Sequence, residues 1–138
     1  MRAMSPAIND PFTAMTCLDH LGAGLSICAE RSEPQPFVCD TSNRLRLIFQ
    51  PVTFADLLEA ALNMLRRASR ENTNVLLHMV DTLEKIARKS KQPEQRAEIL
   101  RHVRLIEAES QASASVAWDK ECVTRRCAEA LKLIGQEQ

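Results

Sequence analysis

The sequence contains no tyrosine, one tryptophan and four phenylalanines among its 138 residues. Aromatic side chains on which nucleic-acid bases stack are therefore scarce. Lysine and arginine number 18, as do aspartate and glutamate, so no excess positive charge is available to replace the counterions of a phosphate backbone. These two shortages predict that nucleic acid is not a partner.

Long apolar runs, glycine-rich loops and paired cysteines are missing as well. No uncharged apolar stretch reaches the length of a membrane span, and the first apolar segment carries Asp10, Asp19 and His20, which a signal peptide would not contain. Neither a phosphate-binding glycine loop nor a GxSxG turn occurs. The five cysteines are odd in number and form no CxxC pair. This pattern predicts free thiols that pack as small buried apolar side chains in a reducing compartment, and we expect no cofactor.

Histidine spacing gives no support for a metal centre. His20, His78 and His102 fall on three different predicted helices, and no helix has the E-x-x-H or H-x-x-x-H spacing that places two ligands on one face. Three separate histidines are more typical of packing residues than of shared ligands. Cys17 and His20 are three residues apart, but no orienting group or oxyanion donor accompanies them. We therefore assign no catalytic or metal-ligating residue and do not expect an enzyme.

What the sequence does contain is a well-defined helix start near its N-terminus. Asp10 precedes Pro11, which predicts an N-cap followed by a first helical turn, because proline suits that turn and disfavours helix in the residue before it. Ser5 before Pro6 repeats this pattern and predicts a short capped turn upstream. From Pro11 the apolar residues recur at helical spacing, at Ala14, Met15, Leu18, Leu21, Leu25 and Cys28. Gly22 and Gly24 interrupt this helix and would allow another segment to approach closely.

A polar stripe beside these apolar positions holds the candidate site residues, Asn9, Asp10, Thr13 and His20. One interpretation is a pocket at a helix N-terminus that binds an anion or a small polar ligand. The other is that Asn9 and Asp10 satisfy backbone amides while Thr13 and His20 line a contact between helices. We favour the second, because caps of this kind are common at helix starts.

Residues 30–51 predict a β-hairpin. Phe37–Asp40 and Arg44–Phe49 flank a polar turn at 41–43, and the second segment alternates charged and apolar residues. Because an isolated hairpin is only marginally stable in water, this one should either pack on the helices or pair with another chain. Its edge is a candidate oligomer contact, unless Arg44 and Arg46 protect that edge from pairing.

Four more helices are predicted after the hairpin. They begin at Thr53, where Asp56 completes a capping-box pattern, after Asn72, at Pro93, and within residues 111–133. The basic end of the first of these, Arg66, Arg67 and Arg70, either complements the helix dipole or forms a phosphate or acidic-lipid patch. Residues 112–115 predict either a turn or a helix continuation, and Trp118 is expected to anchor or cover the core. The stripes expected to face inward are Phe54, Leu57, Leu58, Ala61, Leu62 and Leu65; Leu76, Met79, Val80, Leu83, Ile86 and Ala87; Ala97, Leu100, Val103 and Ile106; and Val116, Val123, Cys127, Ala130, Leu131 and Ile134.

Together these segments predict a mainly α fold, a single-domain helical bundle of about five helices over residues 1–138. One short β-hairpin lies between the first and second helices. A chain of this length is sufficient for one hydrophobic core.

The opening run from Arg2 to Ala14 resembles the signature R-A-L-S-P-x-I-N-D-P-x-T-A of the bacterial "predicted membrane protein" family, domain of unknown function 2254. Cys17, Leu18, Asp19 and the pair Leu21-Gly22 occupy the positions that follow in that pattern, and residues 54–58 resemble the family's acidic-apolar helix start. The resemblance implies that this chain is a soluble C-terminal domain on the cytoplasmic face of the bacterial inner membrane. It also implies a missing N-terminal region with several transmembrane helices, and it supplies no mechanism.

Two functions follow as hypotheses. The first is a cytoplasmic interaction or regulatory domain of an integral membrane protein that forms a homo-oligomer, since catalytic spacings are missing and the hairpin needs a cover. The second is a domain that binds a small molecule or an anion, or acts on one as an enzyme, with its site at the corner formed by Asn9, Asp10, Thr13 and His20.

Overall fold

The computed structural model describes residues 2–5 and 8–136. A short 3-10 helix, Arg2–Met4, is followed by α1 (Pro11–Ala29), β1 (Phe37–Cys39), β2 (Leu45–Ile48), α2 (Phe54–Ala68), α3 (Thr73–Ala87), α4 (Pro93–Ser113) and α5 (Ala117–Gln136). The prediction of a mainly α bundle with a hairpin between the first two helices is confirmed. The expected capped turn at Ser5-Pro6 includes Pro6 and therefore lies outside the described residues.

The helices begin where their capping residues predict. Asp10 accepts a hydrogen bond from the backbone N–H of Thr13 at 3.1 Å, and Asn72 caps α3 by accepting from Val75 N–H at 3.2 Å. Thr53 and Asp56 form a complete capping box at the start of α2. Each cap satisfies amides that the first helical turn would otherwise leave without an acceptor. Local side-chain chemistry thus sets where these helices start.

The core is centred on α3, which packs against α1, α4 and α5. Contacts along α1 show that it runs parallel to α3: His78 approaches Asp19, and Lys89 approaches Glu30. Among the described helices, α5 runs the same way, while α2 and α4 run in the opposite direction. The starts of α1, α3 and α5 consequently share one end of the bundle, and the hairpin, which follows α1, lies at the other. The fully buried large apolar side chains are Leu18, Leu58, Leu62, Leu76, Met79, Leu83, Ile86, Ile99 and Ile106.

Gly22 marks the closest approach of α1 to α3. A Cβ added at Gly22 would lie 2.5 Å from Cγ2 of Thr82, well inside van der Waals contact. A Cβ added at Gly24, two residues further along the same helix, would meet nothing within 4 Å. The expectation that small residues here permit close approach is therefore confirmed at Gly22 and does not hold at Gly24.

The hairpin pairs Phe37 with Ile48, Val38 with Leu47, and Cys39 with Leu45, with one irregularity between Val38 and Cys39. The hairpin was expected either to pack on the helices or to pair with another chain. In the described part of the chain, neither strand makes an extensive contact with any helix. Its apolar side chains are exposed on both faces of the sheet.

Several positions expected to face inward are exposed instead. Trp118 is 64% exposed, so the expectation that it anchors or covers the core is wrong. Helix α4 continues through Ser113 and a turn at 114–116 separates it from α5, so residues 112–115 combine the two alternatives that the sequence left open. The other stripe positions that are exposed are Leu21, Leu57, Ala97 and Val116.

Candidate functional site

The predicted polar corner forms around Asp10. The Asp10 carboxylate accepts hydrogen bonds from both the hydroxyl and the backbone N–H of Thr13, and these bonds lower its pKa, the hydroxyl contributing most. Asn9 stands next to it with a left-handed backbone, φ 43°. The carboxylate is thus engaged as a helix cap, as expected, whereas Thr13 and His20 are exposed and do not line the expected contact between helices. Whether this corner binds a ligand stays a prediction.

His20 does not join that corner. It lies seven residues after Thr13 on the same helix, roughly 10 Å further along at 1.5 Å per residue, and its side chain is exposed. Cys17 is exposed too. The structure therefore brings together Asn9, Asp10 and Thr13 and leaves His20 apart.

The same end of the bundle carries a surface that we call the helix-start face. It consists of the first turn of α3 with Phe12 on one side and Trp118 on the other, and Arg67 and Arg70 beside it. Three adjoining hollows connect these residues: Asn74 and Leu77 line the hollow next to Phe12 and also the hollow next to Trp118. Asn72 lines the latter hollow and the one containing the two arginines. The face is therefore continuous.

Large side chains on the helix-start face are unusually open to solvent. Phe12 is 77% exposed and Trp118, the chain's single tryptophan, is 64% exposed. Arg67 makes no ion pair in the described part of the chain, and Arg70 approaches Glu71 only at 3.6 Å. This face is not predicted from the sequence, although the position of Phe12 outside the apolar stripe of α1 indicates that Phe12 is exposed.

Arg66 differs from the two arginines that follow it. Its side chain is 7% exposed and forms an ion pair with Glu109 of α4, and its Nη2 donates to Asn63 at 2.7 Å. Of the proposed basic patch, only Arg67 and Arg70 therefore remain on the surface. Arg66 Nε, Ser69 Oγ, Glu109 Oε2 and Ser110 Oγ are buried without a hydrogen-bond partner in the described structure.

The three histidines have separate environments. His78 Nε2 lies 2.9 Å from Asp19 Oδ1, linking α3 to α1. His102 is fully buried, and its Nδ1 has no partner among the described groups. Burial lowers the pKa of His102, and the charge of Arg101 adds to that effect; the other charged groups that face it are Glu59, Glu98 and Arg66. Among the described residues no group of three potential ligands converges on a metal position.

The cysteines are free thiols in the described structure. Cys127 is buried, and burial raises its pKa to about 12, which makes it a poor nucleophile at neutral pH. Burial of a cysteine as a small apolar side chain was expected for all five, and of them Cys127 is the one that is fully buried.

The hairpin is the second exposed apolar feature. Ile48 is 72% exposed on one face and Val38 is 48% exposed on the other. Its turn is held by hydrogen bonds to Asp40, which accepts from the N–H groups of Ser42 and Arg44 and from Arg46 Nε, the last at 2.8 Å. Arg46 is therefore tied back to the turn.

The described structure is thus a helical bundle with an exposed apolar hairpin at one end and exposed aromatic side chains at the other. The sequence profile of the family described as "Predicted membrane protein (DUF2254)" matches residues 1–85. The chain belongs to this family, which confirms the resemblance seen in the opening run and extends it through α1, the hairpin, α2 and most of α3.

Curated relatives include uncharacterized proteins of Mycobacterium tuberculosis and Mycobacterium bovis, each 27% identical over 134 residues. The match covers 97% of this chain and 26% of each relative, so the chain spans about a quarter of the length of the curated relatives it matches. No solved structure matches the chain. Within the described residues, no helix has the length and apolar character needed to cross a bilayer.

Proposed function

We propose that this chain is an interaction domain of a bacterial integral membrane protein, that it lies on the cytoplasmic face of the inner membrane, and that it self-associates through its hairpin. The observation that carries the proposal is the hairpin itself, which is apolar on both faces and is not covered by any helix in the described structure. Membership of a predicted membrane protein family supports the link to a membrane. We propose that this link runs through a region N-terminal to the domain.

The energetics of small sheets support pairing between copies. A two-stranded sheet is marginal in water and gains stability when further strands extend it or an apolar surface covers a face. Both outer edges of this hairpin have free N–H and C=O groups, and such edges are templates for pairing with another strand. Two hairpins joined edge to edge would form a four-stranded sheet and bury apolar side chains from each copy.

The side-chain pattern of the hairpin also favours self-association over an edge that charged side chains protect from pairing. Natural edge strands avoid pairing by using charge, and here Arg46 is held by Asp40 within the turn. β2 presents Leu45, Leu47 and Ile48 to solvent, beside the 61% exposed side chain of Arg46 that is paired with Asp40. A contact in which the same patch is used by both copies suits a twofold-symmetric dimer.

Size-exclusion chromatography with light scattering tests the proposal. The unmodified chain should have the mass of a dimer or larger assembly at high concentration, and Ile48→Lys and Val38→Lys, one on each face, should shift it towards the monomer. Met64→Lys is the matched control, because Met64 is a 56% exposed apolar residue of α2 away from the hairpin. A strict monomer at high concentration, or equal effects of all three variants, would contradict self-association through the hairpin.

A further inference from the structure

We infer that the helix-start face docks on a phospholipid bilayer, with Phe12 and Trp118 entering the headgroup region and Arg67 and Arg70 binding lipid phosphates. This goes beyond self-association, since it concerns the opposite end of the bundle and assigns a different partner. It uses the family's membrane character and is independent of whether the hairpin pairs.

The positions of the two aromatic residues support docking on a bilayer. Phe12 and Trp118 come from the first turns of two helices that are distant in sequence, yet they flank the same turn of α3. Each is more than 60% exposed in a chain that has only five aromatic residues in total. Tryptophan is typical of membrane interfaces, because its ring is apolar while its N–H can reach water or a headgroup.

The charged side chains beside the two aromatic residues also support docking on a bilayer. Arg67 and Arg70 line the hollow that adjoins the first turn of α3. Guanidinium groups bind phosphate oxygens through paired hydrogen bonds, and Arg67 makes no ion pair in the described part of the chain. Glu71 and Asp119 lie on the same face. Because these carboxylates offset part of the positive charge, we expect binding to phosphatidylcholine vesicles that increases only modestly with anionic lipid.

Docking on a bilayer would orient the molecule. The starts of α1, α3 and α5 would face the bilayer, and the hairpin would point away from it at the far end of the bundle. Both exposed apolar surfaces would then have a cover, the bilayer at one end and a second copy at the other. Neither contact blocks the other.

The test uses Trp118, which is the chain's only tryptophan and therefore reports on this face alone. The chain is titrated with vesicles of phosphatidylcholine, with and without phosphatidylglycerol, and both tryptophan emission and co-sedimentation are recorded. We expect the emission to shift to shorter wavelength. Phe12→Ser should weaken co-sedimentation by about tenfold, the loss expected when an aromatic side chain gives up roughly half of its burial. Arg67→Gln should weaken it severalfold.

Phe37→Ser is the matched control, because it changes a 45% exposed phenylalanine of the hairpin and should leave vesicle binding unchanged. Far-UV circular dichroism checks that each variant is folded. Unchanged emission with both kinds of vesicle would overturn the inference, and so would equal losses from Phe12→Ser and Phe37→Ser. An emission shift that appears on raising the protein concentration without vesicles would also overturn it, since it would mean that a second copy covers this face.

Self-association and bilayer docking fail independently. An unmodified chain that is a strict monomer and still binds vesicles supports the docking inference alone. A chain that forms a dimer but does not bind vesicles supports only the proposed function.

Discussion

Replacing Gly22 by alanine tests how closely α1 packs on α3. The new Cβ would lie 2.5 Å from Thr82 Cγ2, so one of the two side chains must move. Thr82 cannot rotate freely, because its hydroxyl donates to the backbone carbonyl of His78 at 2.8 Å. Overpacking of this kind costs about 1–3 kcal/mol, whereas alanine gains up to about 1 kcal/mol over glycine in a helix.

Gly24→Ala separates the cost of overpacking from the gain in helix propensity. It makes the same change two residues away, where nothing lies within 4 Å of the new Cβ, so it should raise the free energy of unfolding by up to about 1 kcal/mol. Because the propensity gain is common to both variants, Gly22→Ala should be about 1–3 kcal/mol less stable than Gly24→Ala. Urea denaturation followed by circular dichroism measures both values.

A double-mutant cycle tests whether Thr82 Cγ2 is the atom that destabilises Gly22→Ala. Thr82→Ser removes Cγ2 and keeps the hydroxyl, so it should cost about 1 kcal/mol alone through the lost buried methyl group. In the Gly22→Ala background the same change should instead restore most of the lost stability. Equal stabilisation of both alanine variants, or an equal cost of Thr82→Ser in both backgrounds, would show that Thr82 Cγ2 does not limit the side chain at position 22.

Two further predictions concern buried polar groups. The pKa of His102 is lowered in the fold, so the unfolded chain takes up a proton at higher pH than the folded one. The free energy of unfolding should therefore be constant above the ordinary histidine pKa of about 6.5 and fall, by up to about 1.4 kcal/mol per pH unit, as the pH drops below it. His102→Leu should flatten this part of the profile of unfolding free energy between pH 7 and 5, and an unchanged slope would show that another group is responsible. Glu109→Gln should cost about 2–3 kcal/mol in urea denaturation by leaving Arg66 buried without its counter-charge, whereas Glu71→Gln, which breaks the exposed pair with Arg70, should cost less than about 1 kcal/mol. Equal costs would mean that the Arg66 pair is effectively solvated.

Helix starts and the hairpin could be predicted from sequence because they depend on neighbouring residues. Asp10, Thr53 and Asn72 cap helices through atoms three residues away, and the turn at 41–43 is specified by Asp40 and Asn43. The core stripes of α2 and α3 were predicted for the same reason, since a helical period recurs within one segment.

Features that depend on how helices meet could not be predicted in this way. Trp118 was expected in the core because it is large and apolar, and its exposure depends on where α5 starts relative to α3. Arg66 and Arg67 are adjacent in sequence, yet only the position of α4 determines that the first is buried against Glu109. The helix-start face is a product of this packing, since it combines residues from α1, α2, α3 and α5. Asn9, Asp10 and Thr13 lie together because they are close in sequence, whereas His20 lies further along α1, and ligand binding at this corner stays a prediction.

Amide hydrogen exchange of the hairpin, measured at low and at high protein concentration, tests most directly whether its strands pair with another copy. If the strands pair, the outward-facing amides of β1 and β2 exchange rapidly when the chain is dilute and become protected as concentration rises, while amides in the core of α3 are protected throughout. Rapid exchange of the hairpin edges at every concentration would contradict pairing. Strong protection that persists in the dilute monomer would contradict it as well, because the cover would then come from within the chain.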